Sequence, residues 1–354
     1  MIRCSKGLSR RGWVKPCNMS QKLGIVLAFC IGFGLTTASS QTVEEFYRGK
    51  TVRFIIHSTA GGDYDAWARL IARHISRYLP GNPTFLPQNM PGAGGIAAAN
   101  ALYATLPQDG SVIGVIGRNL PFQALTNVEN VRYDPRKFNW IGSPEFSSIV
   151  CIVAGDAPVK SAQEAFAKEV LMGGAGAGTA VSTMPVFLNK LLGIKFRLVE
   201  GYAGSSAVWL AIERKEVHGV FLTLAAVKGA RPNGLESGAI RILFNMEPAP
   251  APGTNAPSIF DFAKTNEQRQ LLKLMSISNE LGRPILAPPN VPADRVAALR
   301  QAFEKTMQDP DLIAEATRGG LSIAVTSGDA LTKLVNDLMA TPKDLVDKME
   351  ELIK

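Results

Sequence analysis

Apolar segments of strand length alternate with segments of helical periodicity between residues 51 and 116. Val52–His57 is an apolar, β-branched run that predicts a strand. Asp63 follows as an expected helix N-cap, and the apolar residues after it recur at helical spacing: Trp67, Leu70, Ile71, Ile75 and Leu79. Thr84–Leu86 and Val112–Ile116 predict further strands, with an alanine-rich helix between them. This alternation is typical of an α/β fold with a parallel sheet.

The same alternation continues through the second half of the chain. The further predicted strands are Ile149–Val153, Val170–Met172, Phe196–Glu200, Val217–Leu222, Ile240–Phe244 and Pro284–Ala287. Ser161 with Glu164 and Thr265 with Gln268 are capping boxes that predict helix starts, and Pro185 is expected in the first turn of another helix. Three helices, beginning near Pro292, Ser327 and Pro342, are expected to close the chain.

Three glycine-rich segments lie where predicted strands lead into helices. They are Gly61-Gly62, Gly92–Gly95 and Gly178-Thr179. Glycine allows close approach of the backbone to a ligand, and the N–H groups at a helix start attract carboxylates. None of the segments ends in the Gly-Lys-Ser/Thr of a phosphate loop. Three such junctions favour binding of a small carboxylate, and the alternative is that the glycines serve only tight turns.

Groups suited to catalysis are few. The chain has three histidines, His57, His74 and His218, and neither a His-Glu-x-x-His zinc motif nor a Gly-x-Ser-x-Gly elbow. His57 ends a predicted strand, where a side chain can line a pocket. The run Gly174–Thr179 with Glu200 is an incomplete dinucleotide-binding pattern, because it lacks the third glycine. The sequence therefore favours a binding protein without a metal or cofactor over an enzyme.

Residues 1–40 have the composition of an export signal. Six basic and no acidic residues lie in residues 1–22, followed by the apolar run Leu23–Leu35 and the small residues Thr37–Ser40. Thirteen apolar residues are fewer than the roughly 20 that a transmembrane helix needs. We expect cleavage after Ser40, by the general secretory route or, given Arg10-Arg11, by the twin-arginine route. Translation starts at Met1 or Met19.

Loss of this signal changes the charge and cysteine content. The full chain has 38 basic and 30 acidic residues, and without residues 1–40 it has 32 and 30, a net charge of +2. Such a chain gives no reason to expect nucleic-acid binding. Cys151 becomes the only cysteine, and its apolar strand predicts a core position. About 314 residues remain, enough for two domains.

Several of these motifs, taken together, resemble the substrate-binding proteins of tripartite tricarboxylate transporters, the Bug family. The matching segments are Gly49–Arg53, Gly61–Leu70, Asn89–Gly95, Pro107–Gly110, Gly178-Thr179, Gly201–Gly204 and Ala287–Pro292. The resemblance implies a two-lobed periplasmic binding protein of the Venus-flytrap, type II-like fold, monomeric and without a cofactor. It implies a discontinuous first lobe, residues 41–152 plus 284–354, and a second lobe, residues 153–283.

The resemblance also implies a ligand site. Two loops form a clamp for one ligand carboxylate: Thr59, Ala60, Gly61 and Gly62, and Gly92, Ala93, Gly94 and Gly95. Asp65, like Asp63, is expected mostly to cap the helix, with a ligand amino group as its alternative partner. The candidates on the opposite lobe are Thr179, Ser182 and Tyr202. Arg118, just past a predicted strand, either pairs with a second carboxylate or lies on the surface.

The implied function is delivery of a small organic acid to the permease subunits of a tripartite tricarboxylate-type transporter in the membrane. The sequence departs from the family pattern at Ala180–Pro185 and at Ala203, where ligand specificity is set, so the identity of the acid stays open. Two alternatives remain. One is a secreted sensor subunit that signals to a membrane kinase, and the other is an enzyme that acts on a small organic acid.

Overall fold

The computed structural model describes residues 41–353 apart from 127–128, 147, 177–178, 203 and 250–252, so the predicted export signal lies outside the described residues. Its strands are β1 (Thr51–Ile56), β2 (Thr84–Asn89), β3 (Val112–Val115), β4 (Asn139–Ser143), β5 (Ile149–Ala154), β6 (Val170–Gly173), β7 (Phe196–Val199), β8 (Gly219–Thr223), β9 (Ile240–Asn245), β10 (Ile285–Ala287) and β11 (Thr326–Ser327). Its helices are α1 (Val43–Tyr47), α2 (Asp63–His74), α3 (Ile96–Ala104), α4 (Leu120–Leu125), α5 (Ala162–Ala167), α6 (Ala180–Leu192), α7 (Ser205–Glu213), α8 (Leu224–Ala230), α9 (Asn266–Leu281), α10 (Ala293–Met307), α11 (Pro310–Arg318), α12 (Gly328–Met339) and α13 (Lys343–Ile353). Within these described ranges, no helix is long and apolar enough to cross a bilayer.

The first sheet has the strand order β11-β4-β10-β3-β1-β2. Strands β1, β2 and β3 are parallel to one another, as the alternation of strands and helices predicts. The returning strand β10 is antiparallel to both β3 and β4, so the sheet is mixed rather than parallel throughout. Strand β4, whose sequence Asn-Trp-Ile-Gly-Ser has only two apolar side chains of strand type, was not predicted.

The second sheet has the strand order β7-β6-β8-β5-β9. Strands β6, β7 and β8 are parallel, whereas β5 is antiparallel to β8 and β9. Because β5 belongs to this sheet, the predicted lobe boundary after residue 152 falls inside a strand. Five residues, 144–148, join β4 of the first sheet to β5 of the second.

Each sheet has its own hydrophobic core. The first sheet buries Trp67, Ile71 and Phe303 on one face and Ile96 and Trp140 on the other. The second sheet buries, among others, Phe187, Phe221, Phe244 and Cys151, which confirms the predicted core position of the cysteine. Leu338 of α12 and Met349 of α13 pack in the core of the second sheet. The last two helices therefore contact the second sheet, although they follow the return of the chain to the first.

Three local predictions need correction. Gly62 is the N-cap of α2, and Asp63 is the first residue of that helix. Pro185 lies inside α6, which begins five residues earlier because Thr179 caps it. Four helices rather than three close the chain, since Asp309 caps the unpredicted helix α11. The capping box of Thr265 and Gln268 is confirmed at the start of α9.

A buried carboxyl group lies beside the crossing from β4 to β5. Glu247 is only 4 % exposed, and it accepts hydrogen bonds from the Ser148 hydroxyl and the Ile149 N–H, both at 2.9 Å. Burial raises the pKa of Glu247 to about 7, and these two hydrogen bonds only partly oppose the shift. The protonated form is thus favoured in the folded protein relative to the unfolded chain.

We expect Glu247→Gln to remove a loss of stability at neutral pH. The pKa of Glu247 is higher in the folded state than in the unfolded chain. The contribution of its protonated carboxyl group to the free energy of unfolding is therefore complete below pH 4.5 and is lost as the pH rises through about 7. The free energy of unfolding of the variant relative to wild type should therefore rise by on the order of 2–3 kcal/mol between pH 4.5 and pH 8. Urea unfolding at several pH values measures this difference. The exposed Glu236→Gln serves as the control, and a difference that does not change with pH would contradict the prediction.

Candidate functional site

Four chain segments meet at the carboxyl edge of the first sheet. The parallel strands β1, β2 and β3 end there, and the segments His57–Gly62, Met90–Gly95 and 116–119 follow them. Strand β10 begins at the same edge because it is antiparallel, pairing Ile285 with Val115. This pairing brings Arg283, two residues before β10, to the same edge. Ligands of open α/β sheets bind at the carboxyl ends of the strands.

The carboxyl edge of the second sheet lies close to this edge. Strand β4 runs parallel to β3 and ends at Ser143, whereas β5 begins at Ile149, which pairs with Thr223 at the carboxyl end of β8. The five connecting residues can span at most about 20 Å. The crossing therefore holds the carboxyl end of β4 within about 20 Å of the first residue of β5.

Asp65 joins the two predicted clamp loops. Its carboxylate is 4 % exposed and accepts hydrogen bonds from the Gly61 N–H, the Asn89 amide and the Arg69 guanidinium, all at 2.9 Å. The Asn89 amide also donates to the Ser58 carbonyl at 2.9 Å, and Arg69 donates to the Asn89 oxygen at 2.8 Å. Both Asp65 oxygens are thus engaged by protein donors. The side chain links the loop after β1, the first turn of α2 and the end of β2.

The second loop of the clamp has a backbone that suits glycine. Gly92, Gly94 and Gly95 all have positive φ, at 150°, 63° and 100°. A side chain on Gly95 would approach the His57 Nδ1 to 2.7 Å, so the loop lies directly against the imidazole ring. No side chain among the described residues caps the 3-10 turn at Ala93–Gly95 or the start of α3. These helix starts therefore present their N–H groups without a competing side-chain oxygen.

A group of basic and aromatic side chains lies next to the clamp, and we call His57, Tyr64, Arg118 and Arg283 the arginine recess. The His57 and Tyr64 rings make an edge contact with centroids 4.4 Å apart. The Tyr64 hydroxyl oxygen accepts a hydrogen bond from the Arg118 N–H at 3.2 Å. The Arg283 guanidinium stacks over the Tyr64 ring, 4.6 Å from its centroid. Tyr64 is thus the centre of the recess.

Burial controls the charges in the recess. Burial lowers the pKa of His57 to about 4, with a further contribution from the positive charge of Arg283, so the imidazole is neutral at pH 7. Arg283 pairs with Asp63 at 3.2 Å, and it lies 3.9 Å from Glu145, which accepts a 2.9 Å hydrogen bond from the Trp67 indole. Burial also lowers the pKa of the Arg118 guanidinium, which stays protonated.

Two polar atoms of the recess lack partners. Among the described residues, Nη1 of Arg118 and Nε2 of His57 are buried and have no hydrogen-bond partner. The ion pairs of the described residues also include none with Arg118. An unsatisfied buried donor costs about 1–3 kcal/mol, and more when it carries a charge. These two atoms are therefore candidates for hydrogen bonds with a ligand.

The far-side candidates make hydrogen bonds within their own lobe. Thr179 caps α6 and donates to the Gly176 carbonyl at 2.8 Å, while the buried Ser182 hydroxyl accepts from the Ala175 N–H at 3.0 Å. The Tyr202 hydroxyl donates to Glu216 at 3.3 Å. Glu200, which belongs to the incomplete dinucleotide-binding pattern, accepts a hydrogen bond from the Gly176 N–H at 3.0 Å. The structure thus places Thr179 and Ser182 together, with Tyr202 on the following loop.

Sequence reasoning missed Tyr64, Glu145 and Arg283. Tyr64 follows Asp63 in a helix turn that was read only for capping, and Glu145 lies in the crossing after the unpredicted β4. Arg283 immediately precedes a predicted strand, but its place depends on the antiparallel pairing of that strand. Among the described residues, no group of three His, Cys, Asp or Glu side chains is arranged to hold a metal ion.

Comparisons with known proteins agree with this geometry. A model of the tripartite tricarboxylate transporter family receptor matches residues 67–351. The chain is 24% identical over 333 residues to a UPF0065 protein in the gbd 5' region of Cupriavidus necator, which covers 92% of this chain and 95% of that protein. The family match covers residues 144–148 and 282–284 and every strand except β1.

Solved structures share the fold. A ligand-free TctC solute-binding protein from Polaromonas aligns with a TM-score of 0.68 and 19% identity, over 85% of this chain and 99% of that one. MatC from Rhodopseudomonas palustris with bound malate aligns with a TM-score of 0.54 and 18% identity, over 86% and 99%. An adipate-bound protein from R. palustris aligns with a TM-score of 0.56 and 20% identity, over 85% and 97%. The predicted two-lobed α/β fold is confirmed, and the chain belongs to the tripartite tricarboxylate transporter receptor family.

Proposed function

We propose that this protein is a periplasmic receptor that binds a small organic carboxylate between its two lobes and delivers it to the membrane permease of a tripartite tricarboxylate-type transporter. The observation that carries the proposal is the linkage of two glycine-rich loops by Asp65 at the carboxyl edge of the first sheet. Family membership supports it. So do the malate and adipate bound to two relatives of the same fold, since both are small organic acids.

In this proposal the near clamp holds the ligand carboxylate through backbone N–H groups. Thr59–Gly62 and Gly92–Gly95 supply the donors, except for the N–H groups of Gly61 and Gly95, which already donate to Asp65 and to the Gly92 carbonyl. Glycine keeps the backbone accessible. Asp65 holds the loops in place rather than contacting the ligand, because both of its oxygens already accept protein hydrogen bonds. Thr179, Ser182 and Tyr202 face the ligand from the second lobe.

Closure about the two crossings accompanies binding. We assign the first sheet to one lobe and the second sheet to the other, with residues 144–148 and 282–284 as the crossings between them. Hinge closure about a few connecting residues is the usual motion of two-lobed receptors. The predicted export signal of residues 1–40 supports a periplasmic location. In this proposal the ligand leaves the site chemically unchanged.

A thermal-shift panel tests the proposal. The protein is purified from the periplasm and heated with mono-, di- and tricarboxylates, aromatic acids, amides and nucleotides. A ligand at 100 times its Kd stabilises the folded state by about 2.7 kcal/mol. For a chain of this size the melting temperature should then rise by roughly 5 °C with at least one small carboxylate. A response to a nucleotide, together with no response to any acid, would overturn the proposal.

A further inference from the structure

We propose that Arg118 and His57 form a second anion-binding subsite, so that the receptor selects dicarboxylates over monocarboxylates of equal chain length. The inference rests on the proposed function, because it adds a second contact to the ligand held by the near clamp. It starts from two buried atoms without hydrogen-bond partners among the described residues, Nη1 of Arg118 and Nε2 of His57.

The Arg118 guanidinium has a buried N–H donor for which the described residues provide no hydrogen-bond acceptor. The two neighbouring carboxylates, Asp63 and Glu145, lie 3.2 Å and 3.9 Å from the Arg283 guanidinium, and they act on Arg118 only through their charge. Neither carboxylate forms an ion pair with Arg118 among the described residues. A guanidinium presents its N–H groups as a planar fork that matches a carboxylate bidentately. The Nη1 atom of Arg118 is therefore suited to an acidic group that the protein itself does not provide.

His57 supplies a neutral donor at the same place. Its Nε2 faces the segment that carries Arg118, because a side chain on Gly117 would lie 3.3 Å from His57 Cε1 and 3.6 Å from Nε2. These distances are close to van der Waals contact, so the imidazole ring lies beside the backbone of Gly117. A neutral imidazole donates from one nitrogen, so Nε2–H can bond to a ligand oxygen without changing the charge of the subsite.

Arg118 and the second loop of the near clamp are separate in the sheet, and His57, whose ring lies against both Gly95 and Gly117, is between them. Arg118 follows β3, whereas Gly92–Gly95 follows β2, and β1 lies between these two strands. Neighbouring strands are about 4.8 Å apart, so the two loops begin about 10 Å from each other. A short aliphatic chain with a carboxylate at each end can bridge donors that converge from these two loops. A monocarboxylate of the same length would leave Arg118 unsatisfied.

Matched pairs of acids test the selectivity of the wild-type protein by calorimetry. The pairs are succinate with butyrate, glutarate with pentanoate and adipate with hexanoate, each of equal carbon number. We expect at least one dicarboxylate to bind at least 30-fold more tightly than its partner, the low end of the effect of a buried, hydrogen-bonded charge pair. Equal affinity within every pair, or tighter binding of the monocarboxylate, would overturn the subsite and leave the receptor function standing. Binding of no acid at all would overturn the proposed function itself.

Variants locate the effect. Arg118→Gln should weaken the bound dicarboxylate about 100-fold and change the affinity of its monocarboxylate partner less than 3-fold. Arg118→Lys keeps the charge without the planar fork and should give an intermediate loss, and His57→Gln should cost about 10-fold for the dicarboxylate only. Arg241→Gln is the matched control, since Arg241 also has a buried, unpartnered Nη1 but lies near the start of β9 in the second sheet. Equal losses for both acids in the Arg118 variants would show a structural role and overturn the inference.

Discussion

Replacing Asp65 with alanine is expected to abolish tight carboxylate binding although Asp65 does not touch the ligand. The carboxylate holds Gly61 on one loop and Asn89 at the start of the other, and Asn89 in turn holds the Ser58 carbonyl. Without it, the amide of Asn89 and the N–H of Gly61 lose their acceptor, and the loops must be ordered by the ligand instead. We expect the affinity for the bound acid to fall about 100-fold, because ordering several residues on binding costs a few kcal/mol.

The same substitution is expected to lower the free energy of unfolding by about 3 kcal/mol. Removing this buried carboxylate leaves its hydrogen-bond donors without an acceptor, and each such donor costs about 1–3 kcal/mol. The hydrogen bond from Arg69 is the main reason that the pKa of Asp65 is lowered to about 2. Because the pKa of Asp65 is lower in the folded state, the contribution of its ionised carboxylate to the free energy of unfolding is present above pH 3.8. It is lost as the pH falls through about 2.

Urea unfolding at pH 7 and at pH 3, combined with calorimetry on the bound acid, checks both effects. Asp63→Ala is the matched control. Asp63 lies in the same first turn of α2, two residues before Asp65, but its side chain is 74% exposed. Its ion pair with Arg283 should contribute less than about 1 kcal/mol to stability. If Asp65→Ala were no less stable at pH 7 than Asp63→Ala, the linkage of the two loops would not be the feature that organises the clamp.

The placement of the two glycine-rich loops at one sheet edge was predictable from the sequence because each loop is local. Gly61-Gly62 and Gly92–Gly95 each follow a strand and precede a helix in the chain, so the pattern alone places them at one sheet edge. The role of Asp65 was harder to predict from the sequence. Its position in the first turn of α2 predicted a helix cap, whereas its actual partner, Asn89, belongs to a neighbouring strand.

The arginine recess depended on pairing that the pattern does not contain. Arg283 lies 220 residues along the chain from Asp63, and it reaches Tyr64 because β10 enters the sheet antiparallel between β3 and β4. Because β10 also pairs with β4, β4 belongs to the first sheet, while β5 belongs to the second. The crossing between the sheets therefore lies at residues 144–148, before the predicted boundary at residue 152. Periodicity predicts where a strand lies in the chain but not the direction in which it pairs.

The second prediction concerns Gly282, which ends α9 at the return crossing. Its backbone has φ 62° and ψ −112°, a conformation that residues with a side chain adopt only under strain. An added Cβ would overlap the carbonyl oxygen of Glu145 in the other crossing and approach the Ser143 hydroxyl to 2.7 Å. That hydroxyl donates to the Glu145 carbonyl at 2.9 Å and accepts from the Arg283 N–H at 2.8 Å. The two crossings are therefore in direct contact at Gly282.

We expect Gly282→Ala to lower the free energy of unfolding by about 4 kcal/mol, from backbone strain of 1–3 kcal/mol and a similar cost for the overlap. Thermal melting without ligand should show a fall of roughly 10 °C. Gly193→Ala is the matched control, because Gly193 ends α6 at φ 78° and its added Cβ meets no atom within 4 Å. It should cost about 1 kcal/mol. Equal losses in the two variants would contradict direct contact between the two crossings at Gly282.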